Sequence, residues 1–134
     1  MNDKKLRVFI SRRVEDRPHT HTLYNQLKQE DWIDPWLDVE NLQPGQPWDV
    51  EILKALQSSN VGLVCVSTHS LPLTGQHKRE ILEMLERTKT TSKEEFQILT
   101  LRLDDAPLPE ELANFPTTDM QTLIPTLKKI MEGR

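Results

Sequence analysis

Apolar residues fall along this chain in two alternating patterns. Short apolar runs at residues 6–10 (LRVFI), 33–37, 61–66 (VGLVCV) and 96–103 (FQILTLRL) leave little polar face. That suits strands buried on both sides of a parallel sheet. Between them, apolar positions recur at helical spacing. They are Leu23, Tyr24 and Leu27 within 18–30, then Trp48, Ile52, Leu53, Ala55 and Leu56 after Pro47. Ile81, Leu82, Met84 and Leu85 follow within 76–87, and residues 120–131 form an amphipathic tail. Pro18 and Pro47 stand where a first helical turn tolerates a residue without an N–H. A short helix is expected at 109–112 and a weak fifth strand at 114–116.

Strands alternating with helices predict right-handed parallel crossovers, and so an α/β fold. Its central parallel sheet would have four or five strands, with helices on both faces. A ligand crevice in such a sheet lies at the carboxyl ends of the strands, at the topological switch point. For the order 2-1-3-4-5 that crevice is bounded by residues 11–17 and 67–75. The loop after the second strand breaks the pattern. In WLDVENLQPGQPWDVEI, residues 36–52, the residues Pro44, Gly45 and Pro47 forbid both a continuous helix and a central strand. An exposed connection with a fixed bend is expected, the kind of loop that carries binding on a rigid scaffold.

The length of 134 residues predicts a single domain over 1–134 with a real core. One cysteine, Cys65, excludes an internal disulfide framework, and its place inside VGLVCV predicts a buried thiol in a reducing, cytoplasmic setting. No basic segment leads into an apolar one, and the longest apolar stretch is well short of the ~20 residues that span a membrane. Net charge is −4 with both signs interspersed. Without a basic stripe, nucleic acid is not expected as a direct partner.

Four blocks stand together: VFISRR at 8–13, WLDVENLQPG at 36–45, VGLVCVS at 61–67 and LRLDDAPLPEEL at 101–112. In this order and spacing they resemble the TIR (Toll/interleukin-1 receptor-like) domain, in its bacterial and NAD+-cleaving flavour. The resemblance implies a flavodoxin-like, five-stranded sheet of order 2-1-3-4-5. It also implies self-association through the loop after the second strand, here Glu40, Asn41, Leu42, Gln43, Pro44, Gly45 and Trp48. In many members it further implies cleavage of NAD+ to nicotinamide plus ADP-ribose or a cyclic ADP-ribose variant. NAD+ is then a substrate, and no cofactor or metal is called for. The family's catalytic glutamate falls on Glu80, within GQHKREI, and the aromatic four residues before it falls on Gln76. Positions i and i+4 share a helix face. The substrate-binding positions implied are Ser11, Arg12, Arg13, Asp38, Ser67 and Gln76. TIR effectors carry a sensor, so a sensor domain or partner outside these residues is expected.

The chemistry suits a single carboxylate. Breaking the nicotinamide–ribose bond builds oxocarbenium character on the ribose, which one carboxylate stabilises, and the leaving pyridine is neutral and needs no acid. Two departures bear on this. Arg12 replaces an aromatic with a cation suited to a pyrophosphate, and Gln76 offers less stacking area than an aromatic. The first reading is an NAD+ glycohydrolase activated by self-assembly, in prokaryotic defence or signalling. The alternative is a non-catalytic TIR module that scaffolds partners through the loop. A phosphoacceptor receiver domain is set aside, because Ser11 and Ser67 occupy the strand ends where carboxylates would cluster.

Other residues have plainer readings. His19 and His21 point to different helix faces and are expected in solvent, as is His77. Asp104 and Asp105 before Pro107 read as turn formers. Two of Trp32, Trp36 and Trp48 are expected to pack against the sheet, with Trp48 at the loop exit the one to watch. The acids Asp38 and Glu40 read either as a solvated loop tip or as half of a head-to-tail contact with a basic patch of a second copy.

Overall fold

The computed structural model describes residues 5–38 and 42–134. Five strands, β1 (Leu6–Ser11), β2 (Ile33–Trp36), β3 (Val61–Val66), β4 (Gln97–Arg102) and β5 (Thr117–Thr118), form one sheet in the order β2-β1-β3-β4-β5. Every pairing is parallel, with Phe9 opposite both Trp36 and Gly62, and Leu63 opposite Leu99. Among the described residues the helices are α1 (Arg17–Lys28), α2 (Trp48–Ser58), α3 (Gly75–Thr88) and α4 (Leu123–Glu132). Three short 3-10 turns, Val14–Asp16, Thr68–Ser70 and Glu110–Leu112, join them. This is the α/β alternation that the pattern predicts, in the flavodoxin-like strand order that the resemblance implies.

Alternation along each strand sends its side chains to opposite faces. Val8 and Ile10 join Leu23 and Leu27 of α1 and Leu123 and Leu127 of α4 in one core cluster. Phe9, Val64 and Val66 join Ile52 and Leu56 of α2 and Ile81 and Met84 of α3 in the other. All six residues of β3, the central strand, are buried, Cys65 included. Pro35 lies inside β2, which is tolerable because β2 is an edge strand. Gly62 sets the distance of α3 from the sheet. A Cβ there would stand 2.6 Å from Met84 Sδ and 3.0 Å from the Phe96 ring.

Some boundaries move. The fifth strand was expected at 114–116 and lies at Thr117–Thr118 instead. Phe115 N–H closes a turn onto the Leu112 carbonyl, and pairing with β4 starts where Thr100 N–H meets the Pro116 carbonyl at 2.9 Å. The last helix starts at Leu123 rather than 120, because the Asp119 carboxylate accepts from Thr122 N–H at 2.9 Å and holds a turn before it. β1 runs on to Ser11, and β2 stops at Trp36 although Leu37 remains buried. The α2 stripe is also narrower than expected. Ile52 and Leu56 are buried, whereas Trp48 is 51% and Leu53 40% exposed.

Candidate functional site

Ser11 is the last residue of β1 and alternates onto the α2/α3 face with Phe9. It is fully buried. Opposite it, the inward stripe of α3 begins with two polar side chains, His77 and Glu80, and continues through Ile81 and Met84. The Ser11 hydroxyl donates to Glu80 Oε1 at 2.6 Å, and Gln76 Nε2 donates to Glu80 Oε2 at 3.3 Å. Arg79 fixes which end of the Gln76 amide faces the carboxylate, since its Nε and Nη2 both donate to Gln76 Oε1, at 3.2 and 2.9 Å. Burial pushes the Glu80 carboxyl up to about 7. The bonds from Ser11 and Gln76 pull it back down, Asp38 raises it, and Arg12 lowers it.

Arg12 Nη2 donates to Asp38 Oδ1 at 2.8 Å in an ion pair whose side chains are 8% and 16% exposed. The other side of the guanidinium, Nε, is buried without a hydrogen-bond partner. Arg13 reaches across to the start of α3, where its Nη1 donates to Thr74 Oγ1, and its Nε meets Glu15 Oε1 at 3.4 Å. Arg12, Arg13, Asp38 and Thr74, with Gly75, Gln76, His77 and Glu80, line a cavity of about 270 Å³. A second cleft of about 400 Å³ opens on the far side of Gln76 and Glu80, between Ile52, Leu53 and Leu56 of α2 and Leu82 of α3. Glu80 therefore sits on the partition between a charged cavity, lined by Arg12, Arg13 and Asp38, and a groove with an apolar floor bordered by Asp49, Arg79 and Glu83.

His77 corrects the expectation that it faces solvent. It is 2% exposed, and neither ring nitrogen has a well-formed hydrogen bond. Burial, then the charges of Arg13 and Arg12, lower its pKa to about 4, with the Ser11 backbone acting weakly the other way. The sequence signal was present: His77, Ile81 and Met84 are spaced as one helical stripe, and Glu80 lies beside them. Thr74 and Gly75 fall within the expected crevice boundary at 67–75, and their part in the cavity follows from the helix start at Gly75.

Not every expected residue joins this cluster. The Ser67 hydroxyl is engaged with the buried Asp16 carboxylate, at 2.8 and 2.7 Å from its two oxygens, and accepts from His69 N–H at 3.1 Å. It ties the two 3-10 turns together, away from Glu80. In the assembly loop Glu40 and Asn41 lie outside the described residues. Leu42 packs on the second core cluster, while Gln43, Pro44 and Gly45 are exposed in a turn that Gly45 closes at a φ of +88°. Trp36 stacks on Phe9 with ring centres 5.1 Å apart, and Trp32 packs against the first core cluster. Asp104 holds its turn through Thr68 N–H and Ala106 N–H, and His19 and His21 are exposed. Among the described residues no group of three or more His, Cys, Asp or Glu could hold a metal ion, and no helix is long and apolar enough to cross a membrane.

Comparison with curated proteins returned no match. Among solved structures, the crystal structure of a prokaryotic SEFIR domain superposes with a TM-score of 0.56 at 13% identity, covering 94% of this chain and 96% of that one. At that identity the likeness is one of fold. The family model described as the TIR domain matches residues 8–129, which take in all of the sheet but the first two residues of β1, together with the Glu80 cluster and the loop after β2. With the strand order and the sequence blocks in agreement, this chain belongs to the TIR domain family.

Proposed function

We propose that the chain is an NAD+ glycohydrolase whose reacting carboxylate is Glu80 and whose activity depends on self-assembly. The observation that carries this reading is the placement of Glu80. It is a buried carboxylate on α3, hydrogen-bonded by Ser11 and Gln76, between a cavity with two arginines and the groove between α2 and α3. The substrate's ribose would face Glu80, with the pyrophosphate toward Arg12 and Arg13. As the bond to nicotinamide lengthens, the ribose gains positive charge that ionised Glu80 stabilises. The nicotinamide leaves neutral with the electron pair of the broken C–N bond, and water bonds to the ribose in its place, releasing a proton that passes to solvent. The positive pyridinium of bound NAD+ favours the ionised form of Glu80, which burial alone disfavours. Assembly would supply the aromatic surface that Gln76 does not, and the exposed Trp48 beside the loop is the residue proposed to supply it in trans.

The test is to cluster the protein, incubate it with NAD+ and quantify free nicotinamide. Release that is lost in Glu80→Ala supports the reading. No release under any clustering condition defeats it. A scaffold role is the second reading, favoured by the exposed Trp48, Val50 and Leu53 beside the loop and by the missing aromatic at Gln76. It predicts that clustered protein self-associates or captures partners while leaving NAD+ intact.

A further inference from the structure

Arg12 stands where the family resemblance implies an aromatic, and the cation it brings is already engaged. Its Nη2 donates to Asp38 Oδ1 at 2.8 Å, in a pair whose side chains are 8% and 16% exposed. Every other ion pair between described residues keeps one side chain at least 46% exposed. At depth the attraction is less screened, so this pair holds where surface pairs contribute little. Arg12 directly follows β1 and Asp38 comes just after β2. The pair thus ties two strand ends together in the cavity that Arg13 and Glu80 also line. Asp38 is close enough to act on Glu80, whose carboxyl it raises.

A second anion brought to Arg12 would meet the Asp38 carboxylate at the same guanidinium, and like charges set side by side oppose binding. Asp38 therefore fills the place on Arg12 that a ligand's anion would take. It also opens the segment after β2, where Leu42 N–H bonds back to the Asp38 carbonyl at 2.9 Å, so a shift of Leu42 is passed to Asp38 through the backbone. We propose that the Arg12–Asp38 pair is an autoinhibitory contact: in a single copy Asp38 occupies the Arg12 guanidinium, and assembly through the segment after β2 draws Asp38 away and frees it for substrate. The inference rests on the NAD+ reading for the identity of the anion, a nucleotide diphosphate, and for assembly through this segment. By linkage, a ligand that displaces Asp38 favours assembly by the same factor by which assembly favours the ligand.

The experiment compares wild type and Asp38→Asn as dilute single copies, with thermal unfolding to show that each is folded. Asparagine keeps an oxygen for Arg12 and removes the charge, and Asp38→Ser, equally uncharged, makes the same test if the amide variant does not fold. ADP-ribose binding, followed by isothermal titration calorimetry, should tighten about tenfold in Asp38→Asn. Adding Arg12→Gln to that variant should abolish the gain. Dilute Asp38→Asn should also release more nicotinamide from NAD+ than dilute wild type, so that clustering adds less. Unchanged or weaker ADP-ribose binding in the folded variant overturns the proposal, because a purely structural pair would give that result. A gain that survives Arg12→Gln overturns it as well. Tighter ADP-ribose binding in Asp38→Asn, with no nicotinamide released by any clustered protein, would remove only the hydrolase reading. Release by clustered wild type, with unchanged binding in Asp38→Asn, would remove only this one.

Discussion

Glu80 and His77 stand one helical turn apart on the buried side of α3, and burial perturbs them with opposite consequences for stability. Glu80 is raised from 4.5 to about 7, so its contribution to stability is complete below about 4.5 and is lost as pH rises through about 7. His77 is lowered from 6.5 to about 4, so its contribution is complete above 6.5 and is lost as pH falls toward 4. Between 4.5 and 6.5 the two slopes oppose each other. Glu80→Gln removes the first. In urea unfolding this variant should gain stability with rising pH across that window and exceed the wild type at pH 8 by up to about 3 kcal/mol. Equal stability at pH 8 would show that burial does not oppose the Glu80 charge. Arg79 acts through Gln76: with Arg79→Ala the amide is free to turn its carbonyl toward the carboxylate. The Glu80 titration midpoint, read by carboxyl 13C NMR, should then rise, and an unchanged midpoint would show that Gln76 needs no such hold.

The element that matters most is α3, and its seating depends on Gly62 in β3. Gly62→Ala would drive a methyl into Met84 and Phe96, and overpacking of that kind costs about 1–3 kcal/mol. Thermal unfolding should show that loss, while an unchanged melting temperature would mean that α3 shifts outward freely. The elements show where sequence reading succeeds and where it stops. β3 was plain because a wholly apolar run has one placement in a doubly wound sheet. Glu80 was found through the family's motif, whereas His77 was misplaced although it shares the Ile81–Met84 stripe, because a histidine on an apolar face carries no hydropathy signal. The two-residue β5 begins its pairing with β4 where Thr100 N–H meets the Pro116 carbonyl, a start that no periodicity encodes. The Arg12–Asp38 pair and the Ser67–Asp16 latch join residues 26 and 51 apart in the chain, a proximity that only the crossover topology creates.

Across the whole molecule, a buried polar cluster at the switch point lies beside a loop whose exit exposes Trp48, Val50 and Leu53. On the proposed reading, one copy brings Glu80 and another brings an aromatic surface. Trp48→Ala should therefore lower nicotinamide release by clustered protein while changing stability by no more than about 0.5 kcal/mol, since Trp48 is half exposed. Full activity in that variant would place the missing surface elsewhere. Dilute, unclustered protein should be inactive. The central claim, that Glu80 is the carboxylate that cleaves NAD+, is tested most directly by nicotinamide release from clustered wild type and Glu80→Gln as a function of pH. At NAD+ well below saturation, where the rate follows the free enzyme, the wild-type rate should rise about tenfold per pH unit below about 7 and level off above it, as the carboxylate ionises, and the variant should release none at any pH. A wild type that releases no nicotinamide at any pH, or a variant that matches it, would contradict the account.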